Sequence, residues 1–281
     1  PHASSSAASD VYKRQKMAIH EADTVIMIGG RLDNQMNFGN PPFIPKDTKL
    51  ICVIGSSEEL EYNFAADEIL LSHPAAFLDA MTSINRKWEN WFELQTERRK
   101  KWVEDWENHL LKEEIEDSKS NRKMHPLQLG VDIISEMNDE DWLVFDGGNT
   151  HFWNEIAVNI SGWRGKKLGG IMHPGNYSLL GVGISFGISA KAAYPDKNVV
   201  VISGDGAFLS GGLSIESAFQ EGLPIIVVID NNGGLDCISQ QQERLFANGQ
   251  HYATDFRDIP FHTMFELSLI HISEPTRLWH I

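Results

Sequence analysis

The sequence predicts an α/β fold: two parallel-sheet units in series, the first doubly wound and missing its front edge, the second cut before its last strands. Three observations carry this. Apolar runs of strand length recur between helix-length segments, the alternation that parallel sheets require. The runs at 23–28, 142–145, 198–203 and 224–230 each end on a glycine-bearing loop, and the last three loops add aspartate or asparagine. A charged, tryptophan-rich helical stretch over 86–118 separates the two sets.

In the first unit, Asp-Thr-Val-Ile-Met-Ile at 23–28 reads as a buried strand ending in Gly29-Gly30-Arg31. A second strand follows at 49–54 and a short third at 69–71, then a helix from Pro74 to about residue 84. In the linker, Trp88 and Trp91 lie three apart, and Trp102 and Trp106 four apart. Each pair shares a helix face, which suits an aromatic stripe laid on a domain surface. The polar residues 116–123 read as a loop and as the domain boundary.

In the second unit, Pro126 suits the first turn of a helix running to about residue 137. The strand at 142–145 ends in Asp146-Gly147-Gly148-Asn149-Thr150, with a helix near 153–158. Residues 179–193 form a helix rich in glycine and serine, which permits close packing despite poor propensity. The strand at 198–203 runs into Gly204-Asp205-Gly206, and the strand at 224–230 into Asn231-Asn232-Gly233-Gly234. After Asn232 the chain reads as polar and loop-rich. A sheet of about three strands with uncovered edges is incomplete for such a domain.

Composition narrows the function. There are 24 Lys plus Arg against 39 Asp plus Glu, a net charge of −15. The chain repels polyanions, so nucleic acid is not an expected partner. Two cysteines, Cys52 and Cys237, argue against a disulfide scaffold and for a reducing, cytoplasmic compartment. No apolar run approaches the roughly 20 residues of a membrane span. Residues 4–15 and 267–277 resemble the two ends of a translated sequencing adapter. The expectation is that 1–15 and 267–281 do not belong to the fold, and that 16–266 is an internal piece of a longer protein.

The loops after the strands at 198–203 and 224–230 carry the chemistry. Neighbouring parallel strands place both loops at the carboxyl edge of the sheet, where open α/β sheets bind ligands. Asp205 and Asn232 offer hard oxygen ligands, and bare backbone at Gly206 and Gly234 permits close approach. That combination suits a divalent cation holding a diphosphate. Gly-Asp-Gly, 24 residues, then Asn-Asn resembles the motif of thiamine diphosphate-dependent enzymes. More closely, 16–266 resembles the acetolactate synthase, oxalyl-CoA decarboxylase and 2-hydroxyacyl-CoA lyase superfamily.

That resemblance implies a partial central Rossmann-like domain over 16–85, a linker over 86–123, and a truncated diphosphate-binding domain over 124–266. It implies Mg²⁺ ligation by Asp205, Asn232 and the Gly234 carbonyl. Gly204, Gly206, Ala207 and the loop Gly148-Asn149-Thr150 would meet the diphosphate. Leu180 would force the cofactor into its bent shape, with the Ser178 carbonyl accepting from the aminopyrimidine. His151 is open between a solvated helix terminus and a site role, and His173 and Tyr177 could face substrate. The glutamate that protonates the cofactor belongs to a pyrimidine-binding domain outside this sequence, so no catalytic residue is expected here. FAD is in doubt because Asn34 and Gln35 stand where the synthases carry a further arginine. An adenine nucleotide is in doubt because Ile54 stands where the family ends a strand in an acid. The implied activity is thiamine diphosphate-dependent lysis, decarboxylation or carboligation of 2-keto acids or 2-hydroxyacyl- or oxalyl-CoA-type substrates, in a homodimer or tetramer. The rivals are acetolactate synthase proper, a non-catalytic cofactor-binding paralogue, and an ordinary dinucleotide-binding protein. The last predicts a Gly-x-Gly-x-x-Gly loop after a strand, and none is found.

Overall fold

The computed structural model describes residues 17–63, 65–83, 90–120, 124–177, 179–246, 248–257 and 259–267. Ser178, Trp88 and all of the two terminal stretches set aside above except Leu267 lie outside the described residues. The chain divides into two compact units, Pro1–Trp106 and Glu107–Ile281.

The first unit holds a three-stranded sheet in the order β1-β2-β3, all parallel: β1 Thr24–Ile28, β2 Lys49–Ile54 and β3 Glu68–Leu71. Its core is Leu32, Ile44, Leu50, Cys52 and Ile54. Ile54 is fully buried at the end of β2, so that position offers no polar group to a ribose. Glu58 and Glu59, which read as a helix start, sit in the first turn of a short 3₁₀ helix whose cap, Ser56, accepts from the Glu58 N–H at 3.1 Å. Helix α1, Pro74–Met81, starts on proline, and the His73 ring accepts from the Ala75 N–H. The side chains of Asn34 and Gln35 lie outside the described residues.

Helix α2, Trp91–Ser120, runs through the stretch read as a linker and continues to Ser120, into residues expected to form a loop. Among its described side chains Trp102, Val103 and Trp106 are buried, whereas Trp91 is 46 % exposed. The tryptophan stripe is therefore real at 102–106 and fades toward the helix start.

The second unit opens on α3, Pro126–Glu136, again with a histidine cap: His125 Nδ1 accepts from the Leu127 N–H at 3.1 Å. Then come β4 Trp142–Phe145, α4 Asn149–Trp163, β5 Gly170–Met172, α5 Gly183–Ala193, β6 Val199–Gly204, α6 Asp205–Gly211, α7 Ile215–Gln220, β7 Ile226–Asp230, α8 Asp236–Leu245 and α9 Phe261–Leu267. The sheet order is β5-β4-β6-β7, with every pair parallel. Residues 199–203 are buried without interruption, the pattern of a central parallel strand covered on both faces. Each fully buried valine or isoleucine there contributes roughly 1.5–3 kcal/mol.

Four sequence expectations are corrected. The sheet has a fourth strand, β5, too short and glycine-rich to register as an apolar run. Helix α4 spans fifteen residues rather than 153–158. Helix α5 begins at Gly183, not at 179, because Gly181 has φ +86°, outside the helical region. The chain after Asn232 is not loop-rich: it forms α8 and α9. The packing of α5 on β6 explains its small residues. A Cβ on Gly187 would lie 2.4 Å from Val201 Cγ2, so only glycine lets the helix sit this close.

Candidate functional site

Three loops leave the carboxyl ends of β4, β6 and β7 side by side. Register fixes this: Phe145 faces Ile202 across β4 and β6, and Gly204 faces Asp230 across β6 and β7. The order β5-β4-β6-β7 also makes the chain return across β4 between β5 and β6. Such a reversal of direction opens the crevice where α/β sheets bind ligands.

Asp205 joins two of the loops. It is 2 % exposed at the start of α6. Its Oδ1 accepts from the Gly206 N–H at 2.7 Å, and its Oδ2 from the N–H groups of Gly233 and Gly234 at 2.8 and 2.9 Å. Asn232 Oδ1 accepts from the Gly234 N–H at 3.2 Å. The aspartate and the asparagine, 27 positions apart in the chain, are thus bound to the same turn. Gly233 has φ +86°, and a Cβ on Gly234 would lie 2.3 Å from the Thr254 carbonyl oxygen, so both glycines are required by geometry. The Gly206 N–H is occupied by Asp205 itself, so a phosphate contact there means exchanging that bond.

The loop after β4 is held by Asp146, a fully buried carboxylate. Its Oδ1 accepts from the N–H groups of Gly147 and Gly181 at 2.9 Å each. Its Oδ2 accepts from the Gly183 N–H at 3.0 Å and from Ser203 Oγ at 3.2 Å. One side chain therefore ties the Gly147–Thr150 loop, the Leu180 loop and the strand leading to Asp205. In the sequence Asp146 reads only as part of a turn. The signal that could have found it is an acid at the end of a buried strand, followed by two glycines.

Gly148 has φ +78° and caps α4, with Leu180 Cδ2 3.5 Å from where its Cβ would stand. Leu180 is 37 % exposed, so it borders the crevice rather than filling the core. Asn149 Nδ2 donates to Asp236 Oδ2 at 2.5 Å, and Thr150 Oγ1 to Asp230 Oδ2 at 3.4 Å. Asp230 and Asp236 extend the set beyond the residues of the motif. Burial, then the charge of Asp205, pushes the Asp230 carboxyl up to about 6. A field this negative is matched to a cation, and its oxygens are the hard donors that Mg²⁺ or Ca²⁺ takes.

His151 is buried, which removes the solvated reading. Its Nε2 lies 2.9 Å from Glu155 Oε1, and its ring packs edge-on to His173 with centroids 4.7 Å apart. His173 stacks on Phe145 at 5.1 Å, and burial, then the neighbouring His151, holds its pKa below the usual imidazole value. Tyr177 is 93 % exposed.

Two family profiles match this chain. "Thiamine pyrophosphate enzyme, central domain" covers residues 5–81, and "Thiamine pyrophosphate enzyme, C-terminal TPP binding domain" covers residues 148–270. Both matches reach into the terminal stretches set aside above. A 2-hydroxyacyl-CoA lyase of Oryza sativa subsp. japonica is 28 % identical over 235 residues, 79 % of this chain and 38 % of its own length. The 2-hydroxyacyl-CoA lyase 1 of Mus musculus is 26 % identical, covering 78 % of this chain and 37 % of its own. The acetolactate synthase large subunit of Lactococcus lactis subsp. lactis is also 26 % identical, over 82 % of this chain and 38 % of its own. The chain spans well under half the length of these curated relatives.

Proposed function

The chain belongs to the thiamine pyrophosphate enzymes, and from that premise we propose that its second unit holds the diphosphate end of thiamine diphosphate through one Mg²⁺ ion. The protein it represents would be a lyase or transferase that breaks or forms a C–C bond beside a carbonyl. The observation that carries this reading is the bonding of Asp205 to Gly233 and Gly234, which brings both ends of the motif to one point.

The residues fit the ion. Asp205 and Asn232 supply side-chain oxygens and Gly234 a carbonyl, with Asp230 adding a nearby negative charge. Gly204, Gly206, Ala207 and the Gly148-Asn149-Thr150 loop would meet the phosphates, with the positive end of α4 directed at them. Leu180 and Ser178 would meet the organic part. When bound, thiamine diphosphate supplies an electron sink for the pair released as the C–C bond breaks. The chain's own part is to fix that group by ion and backbone, and to hold the Leu180 loop against the sheet through Asp146.

The 2-hydroxyacyl-CoA lyase relatives favour a 2-hydroxyacyl-CoA-type substrate for this chain, and the acetolactate synthase relative favours the 2-keto acid alternative. A homodimer or tetramer is what the family resemblance implies for the full-length protein. The two free cysteines fit a cytoplasmic setting. Among the described residues, no helix is long and apolar enough to cross a membrane.

Calorimetric titration of thiamine diphosphate into the full chain, with and without Mg²⁺, tests the reading. Binding should require Mg²⁺. Asp205→Asn should weaken it by about 100-fold, because a hydrogen bond or ion contact to a charged group is worth roughly 1.5–3 kcal/mol. Unchanged affinity in a folded Asp205→Asn variant, or binding indifferent to chelator, overturns it.

A further inference from the structure

A second constellation lies in the same unit, at the β4–β5 side of the sheet. Three side chains converge there from two elements. His151 and Glu155 stand one turn apart on α4 and share a face, and His173 follows directly on β5. One ligand atom from each, two imidazole nitrogens and a carboxylate oxygen, lies within 4.8 Å of the others. A tetrahedral ion with bonds of about 2.0–2.2 Å holds its donors roughly 3.3–3.5 Å apart.

The details suit ligation. His151 is 5 % exposed, with its Nε2 turned to Glu155 Oε1 at 2.9 Å and its Nδ1 without a hydrogen-bond partner among the described residues. A buried imidazole nitrogen left without a partner is unfavourable. The Nδ1 of His173 accepts from the Gly175 N–H at 3.1 Å, which puts the ring proton on Nε2; ligation through Nε2 requires that bond to break and the proton to move to Nδ1. Stacking on Phe145, with planes 2° apart, fixes the ring. His151 is buried, Glu155 half-buried and His173 exposed, so the cluster has an inner wall and an open side.

We propose that His151, Glu155 and His173 bind a divalent first-row transition ion of the zinc class, at a site separate from the oxygen donors around Asp205. Two imidazoles and a carboxylate suit such an ion better than Mg²⁺. Three protein ligands leave a coordination position open on the solvent side, the arrangement of a reactive rather than a purely structural site. An oxygen ligand such as water, a carboxylate or a carbonyl would occupy it.

Co²⁺ is the probe, added to the chelator-stripped full chain in saturating Mg²⁺. One equivalent should bind, with the visible absorption of a low-coordinate ion, and Zn²⁺ should displace it. His173→Gln and Glu155→Gln should each weaken binding by about 10–100-fold or more, whereas Asp205→Ala should leave it unchanged. His173 and Glu155 are not core residues, and circular dichroism of each variant checks the fold. If Co²⁺ binding survives His173→Gln and is lost with Asp205→Ala, the ion sits among the oxygen donors and the proposal fails. Binding weaker than roughly 1 mM in the unaltered chain also overturns it.

Discussion

Asp230 carries a charge that the fold disfavours. Burial, with Asp205 nearby, raises its carboxyl from 3.8 to about 6. The sign follows from linkage: the group contributes nothing adverse below its unfolded pKa, and stability falls as pH rises through the folded value. At neutral pH and without divalent cations, the two-unit difference is worth at most about 3 kcal/mol. Asp230→Asn should therefore stabilise the cation-free chain at pH 7 by about 1–3 kcal/mol in urea unfolding, and the gain should shrink toward pH 4.5. A gain independent of pH would mean that the charge is not its source. Asp205 and Asn232 were legible because their motif is written along the chain. Asp146, Asp230, Asp236 and the pairing of His151 with His173 were not, because each gains its role from a neighbour 22 to 87 positions away.

At the scale of the element, the second sheet shows which patterns a sequence declares. Strands β4 and β6 were legible because buried parallel strands are continuous apolar runs. Strand β5 was not, since its three residues include a glycine and have no alternation. Helix α8 was hidden by polar residues, only Ser239 among them being buried. The start of α5 depended on the φ of Gly181, which no composition reveals. Two helical glycines separate packing from propensity. Gly187 in α5 stands against Val201, so Gly187→Ala should destabilise by about 1–3 kcal/mol through overpacking. Gly162 in α4 has nothing within 4 Å of where a methyl group would stand, so Gly162→Ala should stabilise by up to about 1 kcal/mol. Thermal denaturation of the two variants compares them directly. Equal shifts of the same sign would refute the close approach of α5 to β6.

At the scale of the molecule, each unit has its own sheet and its own core, and the candidate cofactor residues all lie in the second. Adding Mg²⁺ with thiamine diphosphate should slow hydrogen exchange at Gly233 and Gly234 by the stabilisation that ligand linkage supplies. Amides of β1 and β2 should exchange as before. Equal protection in β2 would show that the units open together. The two sheets are also contiguous in sequence: the described strands of the first end at Leu71, and those of the second at Asp230. At 5–20 residues per second, a ribosome takes about 10–30 s to make the intervening chain. The first sheet can therefore pair its strands long before the last strand of the second is made. Once β6 is made, its outer edge stays unpaired until β7 follows, so an open strand edge is exposed late in the synthesis of the second unit.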